Sequence, residues 1–520
     1  MGRRRLSAVV SRIGAQTQTD RRDGSLDDQG AEASWSWLLP GLVALAFVLG
    51  KLPTLHDPHT WDALSCYLPQ ARFLAEHGTD WAAYRSLEYL RPPVLTGSVA
   101  VLLSLGASHA MVRIYLWLWA LLGLFGAYRL TRILGGGRRD AILAMVLCAA
   151  APIYFAQAGL LQLDLAAAVL CVWALVALFA GRIWAFVLVL SLAVLTKESS
   201  YYLCVPATLW LAVRAAGTTR PRELLRLRIL AHVLPALIPG LVLLGWLLIH
   251  RQLVGHVMAT AHQDALFSLD RIASALLHNF VEGGRLPLVV LAGLALRAAW
   301  RTRRDHILLV GVAVGLLPLC FAGHPPRYML LSLPPLCVLA ALGLAELRLQ
   351  PRRLAMVTVL VWLGQGFTGG SWHGDSGDHL ESNLAYRELI ALHRDAAHVV
   401  ADARPRSVLA DFPMLDVLRA PPTIGYLPAP IPVTWASSPR SYEALCQHDF
   451  LLEADGGSVE AAKQQLQPRG ALELFRELKL PTQGTVLPWG QIDQRIRIYR
   501  IRCPKQSAMT VTTPMRMLAN

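Results

Sequence analysis

Long apolar runs separated by short polar breaks set the pattern of this chain. They lie at about Trp37–Gly50, Met111–Leu134, Ala141–Phe155, Leu163–Ala180, Ile183–Leu195, Tyr201–Val213, Leu230–Ile249, Leu286–Ala299, Ile307–Phe321, Met329–Leu347 and Leu354–Phe367. A helix apolar on every face is buried in protein or in lipid, and roughly 17 to 25 such residues cross a bilayer. The pattern therefore predicts a polytopic α-helical membrane protein of about eleven transmembrane helices. A further run, Val94 to Leu105, is short for a span and reads as an interfacial or re-entrant piece.

Two regions depart from this pattern. Residues 52–110 form a large first loop, in which Leu64, Tyr67, Leu68, Ala71, Leu74 and Ala75 fall at helical spacing over Ala63–His77. Such an amphipathic helix can lie on a membrane surface. Beyond about residue 370 the pattern becomes that of a soluble α/β domain, reaching to about 505. Helices are expected over Leu384–Ala403 and Val459–Leu466, and strands over Ser407–Phe412, Asp449–Glu453 and the alternating Arg495–Ile501. Residues 1–36 read as a basic tail and 506–520 as a flexible end.

Composition and charge fix the orientation. The chain of 520 residues is 54% hydrophobic and 16% charged, with a net charge of +14. From Ser371 onward Lys plus Arg and Asp plus Glu are 16 each, so the excess belongs to the membrane half. It reports the cytoplasmic enrichment of Lys and Arg rather than nucleic-acid binding. The tail arginines Arg3 to Arg22 place the N-terminus inside. Counting spans from there puts Arg182, Arg214 to Arg228, Arg297 to Arg304 and Arg348 to Arg353 on that same side. The first loop and the α/β domain then face the extracytoplasmic side of the plasma (inner) membrane. Cys446 and Cys503 share that oxidising side and could pair, whereas Cys148, Cys171, Cys204, Cys320 and Cys337 read as small packing residues in spans.

Candidate chemistry follows from sorting polar residues by side. Asp57, Asp62, Gln157, Gln162, Asp164, Lys197, Glu198, Arg327 and Tyr328 come to the outer ends of spans, with His256, His262, Gln263, Asp264, Asp270 and His324 in outer loops. Bland readings exist: Asp62 as an N-terminal helix cap, and Lys197 paired with its neighbour Glu198. Against them stands Asp164, which begins an otherwise apolar span where a carboxylate is expensive. Two cations facing a lipid boundary can hold a phosphate, and a carboxylate can take a proton from an attacking hydroxyl. The combination suits inverting group transfer from a phosphate leaving group. Gly374 to Asp378, flanked by His373 and His379, reads as a linker, and Gly135 to Gly137 as a turn.

Trp61-Asp-Ala-Leu-Ser-Cys-Tyr-Leu-Pro69, Arg91-Pro-Pro93, Gln162-Leu-Asp164, Leu195-Thr-Lys-Glu-Ser199 and Arg327-Tyr-Met-Leu-Leu-Ser-Leu-Pro-Pro335 together resemble the GT-C fold integral-membrane glycosyltransferases. The likeness is to family 39 and its bacterial relatives, which include protein mannosyltransferases and the lipid A aminoarabinose transferase. The resemblance implies a hexosyl- or pentosyltransferase using a polyprenyl-phosphate-linked sugar, with a lipid, glycan or protein acceptor. It makes Asp62 the catalytic base with Asp57 as alternate, adds Asp164 as a catalytic acidic residue, and assigns Lys197, Arg327 and Tyr328 to the donor phosphate. Some relatives bind a divalent cation, for which His56, His59 and Asp57 are the candidate ligands here. Relatives often carry Tyr four residues after the base; this chain has Cys66 there and Tyr67 one later. A transporter or flippase of a lipid-linked sugar is the competing expectation, and an anchored sensor domain a third. The sugar and the acceptor are not legible.

Overall fold

The computed structural model describes residues 37–78, 80, 82–86, 90–217, 222–255, 272–273, 276–277, 280–281, 284–320, 326–366, 384, 386–437, 441–454, 458–480 and 494–503. The expected basic tail, the Gly374–Asp378 linker and the frayed end lie outside these residues, as do His256, His262, Gln263, Asp264, Asp270 and His324. Two compact units are present, Met1–Gly50 and Lys51–Asn520. In the first, the helix that begins at Leu38 exposes Leu38, Leu39, Leu42, Leu45 and Leu49.

The second unit is mostly helical, with a small sheet near its end. Its longest helices are His109–Ile133 and Arg222–Val254. Among the described residues, His109–Ile133 and the Val233–Val254 part of the other are long and apolar enough to cross a membrane. Shorter apolar helices include Leu163–Phe179, Ile183–Val194 and Leu333–Ala345. Leu237, Leu241, Leu244 and Leu248 stand exposed along Arg222–Val254. A solvent-facing stripe of that kind has no place in water, and it fits contact with lipid. Pro235 and Pro239 do not end this helix, whereas the expected span over Ala141–Phe155 is broken at Ala150–Ala151, just before Pro152.

Leu163–Phe179 is the axis of the bundle. It is buried along nearly its whole length and packs against His109–Ile133, Ile183–Val194 and the Pro326–Leu331 turn. Small residues allow the approach: a Cβ added at Gly126 would come within 2.9 Å of Val172. Close contact of this kind gives packing where lipid offers no hydrophobic drive.

The first loop forms a π-helical turn, Ala63–Tyr67, that continues as the helix Leu68–His77. The Pro93–Ser104 helix packs against it rather than extending the bundle, and Tyr115 donates to Ser98 at 2.8 Å. Four of the five expected elements of the α/β region appear at Tyr386–Asp402, Phe450–Ala454 (β3), Glu460–Leu466 and Arg495–Ile501 (β5). The fifth, over Ser407–Phe412, is only Val408–Ala410 (β1), because Pro413 follows and cannot donate to a ladder. Two strands were not expected, Val433–Trp435 (β2) and Leu472–Lys479 (β4). The sheet order is β2-β1-β3-β5-β4, with β1 parallel to both neighbours and β5 antiparallel to both of its own. Cys446 and Cys503 are bonded.

One apolar core unites these parts. Trp61, Leu64 and Leu68 of the loop belong to one buried cluster with Leu160 and Leu161 of the bundle and with Tyr386, Met414 and Ile498 of the α/β region. The loop is thus a filling between bundle and sheet.

Candidate active site

Asp62 sits at the head of the Ala63–Tyr67 turn, but its side chain makes no capping bond. It accepts instead from the Arg327 guanidinium. Trp61, just before it, is a buried, bulky residue held at φ 47°. Such a conformation carries a cost and persists where its surroundings over-determine it. The π-turn that follows is likewise a form found often at functional sites.

Asp164 is the second residue of the Leu163–Phe179 helix, where the helix dipole favours a carboxylate. Its side chain is fully buried and accepts from Lys197, not from a neighbour in sequence. The expected alternative, a pair between Lys197 and Glu198, is replaced by this one. Arg327 Nε lies 3.7 Å from the second Asp164 oxygen, so the guanidinium stands between the two carboxylates. Lys197 Nζ is 3.3 Å from the centre of the Tyr328 ring, a cation–π contact.

Asp62, Asp164, Lys197, Arg327 and Tyr328, supplied by four separate segments, therefore form one cluster. Its members grade from the closed Asp164, at 0% side-chain exposure, through Arg327 at 13% to Asp62 at 28%. Asp62 is the carboxylate open to an incoming molecule.

Two more residues join them. Burial, with the nearby Asp62 charge, pushes the Tyr67 phenol well up, so it stays protonated and able to donate; Arg327, Arg91 and Asp164 are also within electrostatic reach. Tyr67 thus lies beside the cluster, one position after Cys66. Arg91 lies within electrostatic reach of Tyr67, Glu198 and Tyr328, and its Nε is buried without a hydrogen-bond partner among the described residues. Gln70 holds its backbone from both sides, at 2.9 Å each way, and Val94 N donates to Leu195 O at 3.0 Å, tying this strand of loop to the Lys197 segment. The Arg-Pro-Pro sequence was the only signal for Arg91.

Asp57 is held elsewhere. Its carboxylate takes two bonds from Arg387 of the α/β region, at 2.7 and 3.3 Å, and its backbone carbonyl takes one from Arg113 at 2.5 Å. His59 is buried edge-on to His109, 5.4 Å between ring centres, and burial followed by the charge of Arg113 keeps it neutral. His56 is exposed. Among the described residues no three His, Cys, Asp or Glu side chains are gathered as a metal site, so His56, His59 and Asp57 do not form one.

No family model matches the chain, and no curated protein does either. Solved structures do. The structure of ArnT from Cupriavidus metallidurans bound to undecaprenyl phosphate matches at 16% identity and TM-score 0.54, covering 91% of this chain and all of that one. Its apo state matches with TM-score 0.55 and the same coverage. The fold is GT-C. The Archaeoglobus fulgidus oligosaccharyltransferase in its apo form also matches, at 11% identity and TM-score 0.50, over 81% of this chain and 69% of that one. The GT-C fold thus stands, while the finer likeness to family 39 gains no support from these matches, since ArnT belongs to another family.

Proposed function

We propose that this protein is a glycosyltransferase that moves a sugar from a polyprenyl-phosphate-linked donor to an acceptor hydroxyl, on the extracytoplasmic face, with inversion. The observation that carries the reading is the meeting of Asp62, Asp164, Lys197 and Arg327 at one end of the bundle. The fold it shares with an ArnT described bound to undecaprenyl phosphate adds support.

In this reading the acceptor oxygen attacks the anomeric carbon as the carbon–oxygen bond to phosphate breaks. Asp62 takes the hydroxyl proton, and the negative charge left on the phosphate is held by Lys197 and Arg327. Both cations are engaged by carboxylates before the donor arrives. A donor phosphate competes for Arg327, which loosens its bond to Asp62 and frees that carboxylate to act as base. Asp164 keeps Lys197 aimed, and Tyr328 packs on the ammonium. A transporter would place such groups near the bilayer midplane, whereas Asp164 and Glu198 each stand at the start of their helical segment.

Incubating the purified protein with radiolabelled polyprenyl-phosphate sugars and membrane extract tests this. Label should pass from the donor lipid to a new product; movement of intact donor across a bilayer with no product would favour the transporter reading.

A further inference from the structure

The far end of the bundle carries a second polar site. The Leu163–Phe179 helix carries Asp164 in its first turn and ends at Phe179, about 22 Å further on at 1.5 Å per residue. Cys204–Gly217 likewise starts just after Glu198 and ends past Arg214. Between these far ends and the turn joining Leu286–Thr302 to Asp305–Cys320 lies a cavity of about 300 Å³, lined by Ile133, Phe179, Trp210, Arg214, Arg303, Asp305 and His306.

Its walls are built rather than incidental. Phe179 meets Trp210 edge-on at 5.3 Å and His306 at 6.2 Å, and the Arg214 guanidinium lies over the Trp210 ring at 4.8 Å. The contact with the Trp210 ring restrains Arg214, so less freedom remains to be lost when it meets a ligand. Arg303 is left-handed, with φ 52° and ψ 44°, at the residue after a helix end. Glycine is the usual occupant of that position. An arginine there bears a backbone cost, and Arg303 is one of the residues that line the cavity. Arg214 and Arg303 share the lining with one carboxylate, Asp305, so it carries an excess of positive charge.

We propose that this cavity binds the phosphate headgroup of an anionic membrane phospholipid, on the membrane face opposite the candidate active site. The arginine forks suit a phosphate diester, basic pockets between transmembrane helices take lipid headgroups, and Ile133, Phe179 and Trp210 line the remaining space for the glycerol portion. Such a lipid fastens the helix whose other end holds Asp164.

The test uses the full-length protein in nanodiscs of phosphatidylcholine with a minor share of phosphatidylglycerol, followed by native mass spectrometry of the lipid that stays bound on release. Phosphatidylglycerol should be retained in preference to phosphatidylcholine. Arg214→Gln and Arg303→Gly should each weaken retention about tenfold, the order of a lost charge-assisted hydrogen bond. Arg303→Gly suits the left-handed backbone, so its thermal unfolding in pure phosphatidylcholine should be unchanged or raised, which separates lost binding from lost folding. Equal retention of both lipids, or enrichment that survives Arg303→Gly, overturns the proposal. Displacement of the lipid by millimolar inorganic phosphate also overturns it, by assigning the cavity to a soluble phosphate compound.

Discussion

Asp57 and Asp62 lie in one loop, each paired with an arginine that arrives from far along the chain, and the two pairs differ in kind. Arg387 grips Asp57 through two bonds, and that arginine is 41% exposed, so the pair is a clasp between loop and α/β region. Arg327 contacts Asp62 while standing beside a second carboxylate, Asp164, that is already tied to buried Lys197. A clasp gains nothing from being opened. A cation shared between two carboxylates can be drawn to a third anion, and the carboxylate it leaves is then available for proton transfer.

The sharpest way to break the comparison is to remove the buried member. Asp164→Asn leaves the Lys197 ammonium without its counter-charge in a closed site, and the loss of one partner of a buried pair costs about 3 to 5 kcal/mol. Thermal or denaturant unfolding of the variant should show a loss of that order. An unchanged midpoint would mean that Lys197 is not held as described.

Next in size, Lys197→Ala and Arg327→Ala should each weaken donor binding by about 1.5 to 3 kcal/mol, the range for a hydrogen bond to a charged group. Titration with a polyprenyl phosphate measures it. Normal affinity in both would detach these cations from the donor.

A third effect lies where the α/β region meets the loop. Asp416 lies in the first turn of a short helix, Met414–Arg419, that packs on the Ala63–Tyr67 turn, and burial raises its carboxyl from 3.8 to about 6, against the opposing pull of Arg419. Because the folded value is above the unfolded one, the stability this group contributes is full below about pH 4. It is lost as pH rises to about 6, by roughly 2 to 3 kcal/mol at 1.36 per unit. Asp416→Asn should therefore unfold later than the parent at pH 8 and with it at pH 4. A benefit confined to low pH would reverse the assignment.

The smallest expected effect is at the clasp. Arg387→Ala should cost less than about 1 kcal/mol, as partly exposed ion pairs do, and unfolding measurements that gave more would make the clasp a structural necessity.

What could be read in advance divides along physical lines. The amphipathic spacing over Ala63–His77 and the alternation over Arg495–Ile501 gave true elements, since each has one face in the core. Leu472–Lys479 escaped because the adjacent Leu474 and Phe475, at a register shift in the pairing, interrupt its alternation. The break at Ala150–Ala151 escaped for the opposite reason: where both sides are apolar, periodicity carries no information about continuity. The site's residue types and their common face were legible from the ends of apolar runs. Its pairings were not, because Arg327 reaches Asp62 from 265 positions away and only packing decides which carboxylate it meets. Sequence proximity favoured Lys197 with Glu198, and a buried helix start drew it to Asp164 instead.

The most direct test sets Asp62→Asn beside Asp57→Asn, with transfer rate at saturating donor and donor affinity measured for each. Asn keeps the shape of Asp but cannot accept the proton, so Asp62→Asn should lower turnover by about 100- to 10,000-fold with little change in donor binding. Asp57→Asn should leave turnover within a few-fold of the parent. A folded Asp62→Asn protein with normal turnover, or a larger loss at Asp57, would contradict the account.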